Sequence, residues 1–208
     1  KSYMFSSKIV LVPIQLLQDS AVDLNTYLPN ALATRIGRQQ NVYMTTGTGT
    51  SQPEGIVTGS ASSSITTASA TAITFDELID LEHTVDPAYR NKVGKVGYMF
   101  NDTVLSWLRK VKDTTGQYIW QPSTREGQPS TINGKPYFIN QSMSSAAAGK
   151  AVIFGDFSAF KIRDVRGVAA VQLRERYAEY FQVGYVSYVR SDSRHLNSAA
   201  LKYLTLHA

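Results

Sequence analysis

The stretch spanning residues 18–59 constrains the fold of this chain more than any other part of it. Its apolar side chains recur at steps of three and four, which predicts a long helix, residues 19–40, with one apolar stripe. Ser20, followed three residues later by Asp23, predicts the N-cap of this helix. The stripe consists of Leu17, Ala21, Leu24, Leu28, Ala31, Leu32 and Ile36.

Two features limit the predicted helix. Pro29 lacks the N–H of an intrahelical hydrogen bond, at a cost of about 3 kcal/mol in a helix interior, so we expect a kink or a restart near Asn30. The helix is expected to end at residues 37–41, because Arg35 and Arg38 would then lie in the last turn and suit the negative end of the helix dipole.

A glycine-rich loop, residues 47–59, follows the helix. Loops that bind phosphate connect a strand to a helix N-terminus, and the P-loop ends in Gly-Lys followed by Ser or Thr. This loop follows a helix and lacks that ending, so the sequence favours a flexible connection or a turn against a neighbour.

Composition excludes several classes of protein. The chain of 208 residues is 43% hydrophobic and 18% charged, which is typical of a folded domain or two and excludes global disorder. Its net charge of +5 comes from scattered basic residues, which favours a solvated surface over a nucleic-acid groove. The absence of cysteine excludes disulfides and thiolate metal sites, and no apolar run is long enough to span a membrane.

Strand and helix patterns predict an α+β fold with a discontinuous domain. Strand patterns stand at both chain ends, in residues 7–13 and 199–206, and these ends are expected to pair in one sheet. The middle of the chain, residues 60–170, is expected to form an inserted α/β unit. The first domain would then comprise residues 1–59 and 171–208.

No catalytic, cofactor or metal site is predicted, and the chain is not expected to be an enzyme. The histidines, His83, His195 and His207, do not have the spacing of metal ligands, and no serine lies in a G-x-S-x-G motif. Asp156 follows an apolar strand and a glycine, where catalytic acids occur, but without a partner acid or base we expect it to stabilise a turn.

Segments in order along nearly the whole chain resemble the tailed-bacteriophage major capsid protein family, which has the Hong Kong 97-like fold. They are Ser7–Pro13 leading to Leu16–Ser20, Gly47–Gly49 through Pro53–Ile56, Tyr98–Asn101 before Trp107–Arg109, Leu108–Asp113 with Gly116–Tyr118, Asn133–Tyr137, and Val152–Ser158.

The resemblance implies a peripheral (P) subdomain, residues 1–59 and 171–208 with the long "spine" helix, and an axial (A) subdomain, residues 60–170. It also implies that the family's N-terminal arm and extended loop are absent from this fragment. The implied function is a structural capsid protein that self-assembles into the icosahedral shell around the viral DNA genome. The implied location is the virion, with assembly in the bacterial host cytoplasm.

The implied partners are further copies of the chain in pentameric and hexameric capsomers, then a portal, scaffold or maturation protease, and packaged DNA contacted without sequence specificity. No membrane partner is expected. Arg35, Arg38 and Glu54 are candidates for contacts between subunits. Two loops, residues 121–131 and 142–149, are expected to be mobile and could meet around an axis. Without arm and loop, the fragment is expected to be a monomer or small oligomer.

Three alternatives stay open at this point. One is an unrecognised hydrolase, against which the lack of a plausible catalytic triad or metal set counts. An encapsulin, a cellular compartment shell, would have the same architecture and would package a protein cargo. A secreted carbohydrate-binding or adhesion module would suit the composition, which is rich in Tyr, Ser and Thr, and would consist mostly of strands without a long helix.

Overall fold

A computed structural model describes residues 1–20, 23–112, 115–118 and 131–208. Ala21 of the predicted stripe, and residues 121–130 of the predicted mobile loop, lie outside the described residues. The chain divides into two compact units, each made of two segments. Unit 1 comprises Lys1–Glu54 and Ile162–Ser193, and unit 2 comprises Gly55–Lys161 and Arg194–Ala208.

Unit 1 contains one four-stranded sheet. Strands β1 (Tyr3–Ser6) and β2 (Val10–Pro13) run antiparallel to β9 (Gln182–His195) and pair with successive parts of it, and β8 (Phe160–Leu173) pairs with β9 as well. The segment between β1 and β2 forms a bulge in which Lys8 has a φ of 62°. There the Ser7 hydroxyl accepts a hydrogen bond from the Ser187 N–H at 2.9 Å and so replaces a backbone partner.

Two helices pack on this sheet. Helix α1 (Ile14–Asp19) follows β2 directly, and α2 (Leu24–Thr46) has 23 residues, a length of about 35 Å at 1.5 Å per residue. The prediction of a long helix is confirmed, but its bounds were wrong at both ends. Asp23, not Ser20, is the N-cap, and its carboxylate accepts a hydrogen bond from the Asn25 N–H at 3.0 Å.

The C-terminal end of α2 lies beyond the arginines. Because the helix continues to Thr46, Arg35 and Arg38 lie in its interior and do not complement its dipole. A restart near Asn30 was also wrong. Pro29 lies in the second turn, where its missing N–H leaves only the Asn25 carbonyl without an intrahelical partner.

The apolar stripe of α2 faces the sheet in two clusters. Val12, Leu32, Val183 and Tyr185 form the first, against which Leu24 and Leu28 pack. Phe5, Ile36 and Val189 form the second, with Tyr43 half-buried beside them. The remainder of the helix surface is largely exposed.

Unit 2 contains a six-stranded mixed sheet in the order β3-β10-β7-β4-β6-β5. Pairs β3 with β10 and β4 with β6 are parallel, and the other pairs are antiparallel. The strands are β3 (Ala61–Thr66), β4 (Val96–Phe100), β5 (Thr131–Ile132), β6 (Lys135–Ile139), β7 (Lys150–Asp156) and β10 (Leu201–Thr205). The helices are α3 (Ile56–Gly59), α4 (Phe75–Thr84), α5 (Pro87–Arg90) and α6 (Asp102–Arg109).

Capping signals in the sequence predict the starts of two of these helices: Thr74 three residues before Glu77, and Asn101 or Asp102 before an apolar run. Thr74 and Glu77 form the predicted capping box of α4, each side chain bonding the other residue's backbone N–H. Asn101 caps α6 by accepting from the Thr103 N–H at 3.0 Å, while its amide donates to the carbonyls of Gln141 and Met143.

The unit 2 sheet is buried on both faces at β7, whose side chains are apolar on each side. Val152 and Phe154 point into the larger core formed with α4 and α6. Ile153 points to the opposite face and packs with Leu201 and Met143. The expected pairing of the two chain ends was wrong, because β10 pairs with β3 and β7 in unit 2 whereas β1 and β2 pair with β9.

Candidate assembly surfaces

Asp156, the acid singled out as a possible catalytic group, stabilises a turn in unit 2. It is almost fully buried, and its carboxylate accepts a hydrogen bond from the Ser158 N–H at 2.9 Å. The Lys92 ammonium lies 2.6 Å from the other carboxylate oxygen. Burial raises the pKa of Asp156, but the hydrogen bonds from Lys92 and Ser158 outweigh it and hold the pKa below its ordinary value. The sequence predicted the turn but not the lysine partner.

The histidines lie apart in the structure as they do in the sequence. His83 is exposed and contacts Arg90 at 2.9 Å, while the His195 ring nitrogen Nε2 lies 3.0 Å from the Ile56 carbonyl. Within the described ranges, no three His, Asp or Glu side chains form a group that could hold a metal ion. In the same residues, no helix is both long and apolar enough to cross a bilayer.

The three predicted contact residues all belong to unit 1 and take different positions. Arg35 and Arg38 are exposed on α2, and neither makes an ion pair within the described part of the chain. Glu54 is half-buried. Its backbone is held in place by two hydrogen bonds with Ser193, a residue of β9. The Glu54 N–H donates to the Ser193 carbonyl at 3.2 Å, and the Ser193 hydroxyl donates to the Glu54 carbonyl at 2.8 Å.

Arg35 borders a groove between α2 and β1, here called the helix groove. Its larger cavity, about 330 Å³, is lined by residues that include Met4, Phe5, Lys8, Arg35, Ile36 and Gln39. A smaller cavity of about 190 Å³ continues it on the other side of Tyr43, towards Ser51 and Gln52. Of the three predicted contact residues, only Arg35 lines either cavity.

A second surface feature of unit 1 was missed by the sequence analysis. The segment of residues 174–181 between β8 and β9, here called the aromatic turn, ends in Tyr180 and Phe181, whose side chains are 66% and 74% exposed. Phe181 has a φ of 51°, a left-handed conformation that bulky residues rarely adopt. The signal in the sequence is an aromatic pair between a charged run and a strand, but a strand pattern alone does not show that these rings face solvent.

The paired backbone of the aromatic turn holds this conformation. The Phe181 N–H donates to the Ala178 carbonyl at 3.0 Å, and the Phe181 carbonyl accepts from the Ile14 N–H at 2.9 Å. The Gln182 N–H donates to the Tyr177 carbonyl at 3.2 Å. A well-anchored turn therefore presents two large aromatic rings to solvent.

Comparison with solved structures shows the fold. The capsid of an empty GTA particle aligns with a TM-score of 0.85 and 24% identity over 99% of this chain and 74% of that one. A structure from Gordonia phage Cozz aligns with a TM-score of 0.75 and 16% identity over 100% of this chain and 71% of the other. The holo-SrpI encapsulin complex from Synechococcus elongatus PCC 7942 aligns with a TM-score of 0.71 and 13% identity over 98% and 73% of the two chains.

The structural neighbours confirm the predicted Hong Kong 97-like architecture, which capsids and encapsulins share. No curated protein sequence matches the chain. The sequence model of the phage capsid family, however, matches residues 2–206. The chain therefore belongs to the phage capsid family and is a structural major capsid protein.

Proposed function

We propose that this capsid protein acts without catalysis, by binding further copies of itself in pentameric and hexameric capsomers that close an icosahedral shell. The family match over residues 2–206 carries the proposal. The surface of unit 1 supports it, because exposed aromatic rings, and arginines such as Arg35 and Arg38 that form no ion pair within the described residues, are typical of surfaces that are covered in an assembly. Repetition by symmetry lets many such modest contacts stabilise a closed shell.

The two units take distinct places in the proposed shell. Unit 1, with the long helix, corresponds to the peripheral subdomain, and unit 2, with the six-stranded sheet, to the axial subdomain at the five- or six-fold axis. The expected boundaries after residues 59 and 170 differ from the limits of the compact units at Glu54/Gly55 and Lys161/Ile162. Arg35, Arg38 and Glu54 stay candidate contacts between subunits.

Further partners belong to the same proposal. Assembly would take place in the bacterial host cytoplasm, with a portal, a scaffold or a maturation protease, and the packaged DNA would be contacted without sequence specificity. The net charge of +5 is small, which suits a shell that contacts DNA weakly and over a large area.

Expression of the complete gene product, alone and with its neighbouring genes, tests the proposal. Negative-stain electron microscopy and size-exclusion light scattering are expected to show closed shells or rings of five and six copies. Charge reversal by Arg38→Glu should reduce assembly without changing the melting temperature, because Arg38 is exposed and has no partner in the described residues. A persistent monomer under all these conditions would contradict self-assembly.

An encapsulin-like compartment is the second candidate, because the encapsulin complex shares the fold at a TM-score of 0.71. The contents of purified particles decide between the two. DNA inside the shells supports the viral function, whereas a protein cargo supports the compartment. The adhesion module is excluded as a fold, because it required mostly strands and the chain has a helix of 23 residues.

A further inference from the structure

We propose that the aromatic turn of one copy inserts Tyr180 and Phe181 into the helix groove of a second copy. The inference rests on the proposed function, since it assigns one of the contacts by which copies would assemble. Phe181 would occupy the larger cavity beside Arg35 and Ile36, and Tyr180 the smaller cavity beside Gln52.

The conformation of the turn supports a role in binding. A bulky residue with a positive φ costs stability, and such strain persists only where the surrounding structure enforces it. Here three backbone hydrogen bonds around Phe181 enforce it, yet the ring they position is 74% exposed and adds little to the core of unit 1. Rigid exposed aromatic side chains are the residues that most often dominate binding energy in interfaces.

The helix groove matches the side chains of Tyr180 and Phe181 in size and chemistry. A cavity of about 150 Å³ can enclose a benzene ring, so the larger cavity of about 330 Å³ accommodates the Phe181 side chain. Its walls include apolar Met4, Phe5 and Ile36, and the Arg35 guanidinium can stack on an aromatic face. The smaller cavity contains polar Ser51 and Gln52, which can bond a tyrosine hydroxyl.

The charges of the helix groove and of the aromatic turn also favour contact between them. Lys8 and Arg35, both exposed, give the groove a positive charge. The aromatic turn carries two arginines and two glutamates, so its net charge is zero. Arg174 donates to the Gln172 side chain on β8 at 3.0 Å, and Arg176 lies over the Tyr177 ring at 5.6 Å. Glu179 is exposed and is the charged residue directly before the aromatic pair, so it would lie closest to the positive groove.

The contact must join two copies. Phe5, in the wall of the groove, pairs with Val189 on β9. Phe181 precedes Val189 by eight residues, which is about 26 Å along a strand at 3.3 Å per residue. The turn therefore cannot reach the groove of its own chain. Because turn and groove are different surfaces, the contact is head-to-tail and can propagate around a closed ring.

This sequence has no cysteine, so thiols introduced into it allow a direct crosslinking test in the complete gene product, with any cysteine outside the sequence first replaced by serine. The double variant F181C/Q39C places one thiol on the turn and one in the groove. Treatment of its assembled particles with a short bismaleimide is expected to give a ladder of covalent oligomers on a denaturing gel. The single variants F181C and Q39C should stay monomeric on that gel.

The matched control is F181C/Y27C. Tyr27 is 59% exposed on the same helix, but it lies twelve residues, about 18 Å at 1.5 Å per residue, from Gln39. Particles in which F181C/Q39C crosslinks no more than F181C/Y27C would overturn the proposal while leaving self-assembly intact. If the unmodified protein forms no particles, self-assembly itself fails, and this contact fails with it.

Two further variants separate binding from folding. Phe181→Gly removes the strain of a positive φ, so it should raise the melting temperature of the unassembled protein while reducing particle yield at least tenfold. A lower melting temperature, or an unchanged yield, would contradict the role given to Phe181. Charge reversal by E179R or R35E should each reduce the yield similarly, and the double variant E179R/R35E should restore it.

Discussion

Two serines face each other across the bulge of unit 1, and we expect their removal to change stability in opposite directions. Ser7 is 3% exposed, and its hydroxyl accepts from the Ser187 N–H at 2.9 Å and donates to the Lys8 carbonyl at 2.9 Å. Ser187 is fully buried, and its own hydroxyl has no hydrogen-bond partner within the described part of the chain.

The structure gives the size of each effect. Ser7→Ala leaves a buried N–H unpaired, which costs about 1–3 kcal/mol, so we expect unit 1 to lose about 2 kcal/mol of stability. Ser187→Ala removes a buried hydroxyl that makes no compensating bond, so the free energy of unfolding should stay level or rise by up to about 1 kcal/mol.

Hydrogen exchange followed by mass spectrometry is the appropriate assay. Tryptophan fluorescence is not suited to unit 1, because its sequence ranges, Lys1–Glu54 and Ile162–Ser193, contain no tryptophan. Peptides covering β1, β2 and β9 in Ser7→Ala should exchange about 30-fold faster, the factor that corresponds to 2 kcal/mol. The same peptides in Ser187→Ala should exchange at the wild-type rate or more slowly.

Equal acceleration in both variants would refute this reasoning, because it would mean that the Ser187 hydroxyl has a stabilising partner. Unchanged exchange in Ser7→Ala would show that another group, or water, satisfies the Ser187 N–H. In that second case the bulge would not depend on the Ser7 side chain.

Three other predictions concern single positions. Gly155→Ala would place a Cβ 2.1 Å from the Ala200 carbonyl oxygen at a φ of 141°, so thermal unfolding of unit 2 should show a loss of about 3 kcal/mol or more. Gly37→Ala, inside α2 with no atom within 4 Å of the new Cβ, should instead raise stability by about 0.5–1 kcal/mol in the same measurement. The lowered pKa of Asp156 means that its pairing with Lys92 stabilises unit 2 fully above the ordinary aspartate pKa of 3.8. That contribution should disappear as the pH falls through the lower folded-state value, and a pH series of melting temperatures should show a smaller acid loss in Asp156→Asn.

Periodicity and capping predicted those elements whose cause is local. The capping box of Thr74 and Glu77 and the cap at Asn101 follow from a few neighbouring residues, and the structure has both. The ends of α2 depend on more distant contacts. Gly37 and Arg38 resemble a helix end, but Tyr43 packs on Phe5 with ring centroids 5.7 Å apart, which stabilises the helix beyond them.

The candidate surfaces were less predictable for a related reason. The sequence identified Arg35 as a contact candidate from its place near a helix end, and the helix does not end there. Arg35 lines a groove only because strand β1 lies beside α2 in the folded unit 1. Likewise, the exposure of Phe181 depends on a left-handed φ that no propensity indicates for phenylalanine.

A run of buried serines on β9 connects the fold of unit 1 to the shape of the helix groove. Ser187, Ser191 and Ser193, with Val189 between the first two, are spaced by even numbers of residues, so their side chains share the sheet face that α2 covers. Small side chains let a helix approach closely, and their hydroxyls then need partners. Ser191 accepts from the Gln40 amide of α2, and Ser193 donates to the Glu54 carbonyl.

These hydrogen bonds fix the C-terminal half of α2, and the loop after it, against β9. The helix groove lies between that half of the helix and β1, which β9 also holds through its pairing with Tyr3–Ser6. Both walls of the groove are therefore set by the same strand before any partner binds. A preformed site loses little conformational entropy on binding, which is the condition under which two aromatic side chains can provide a useful contact in a shell of many copies.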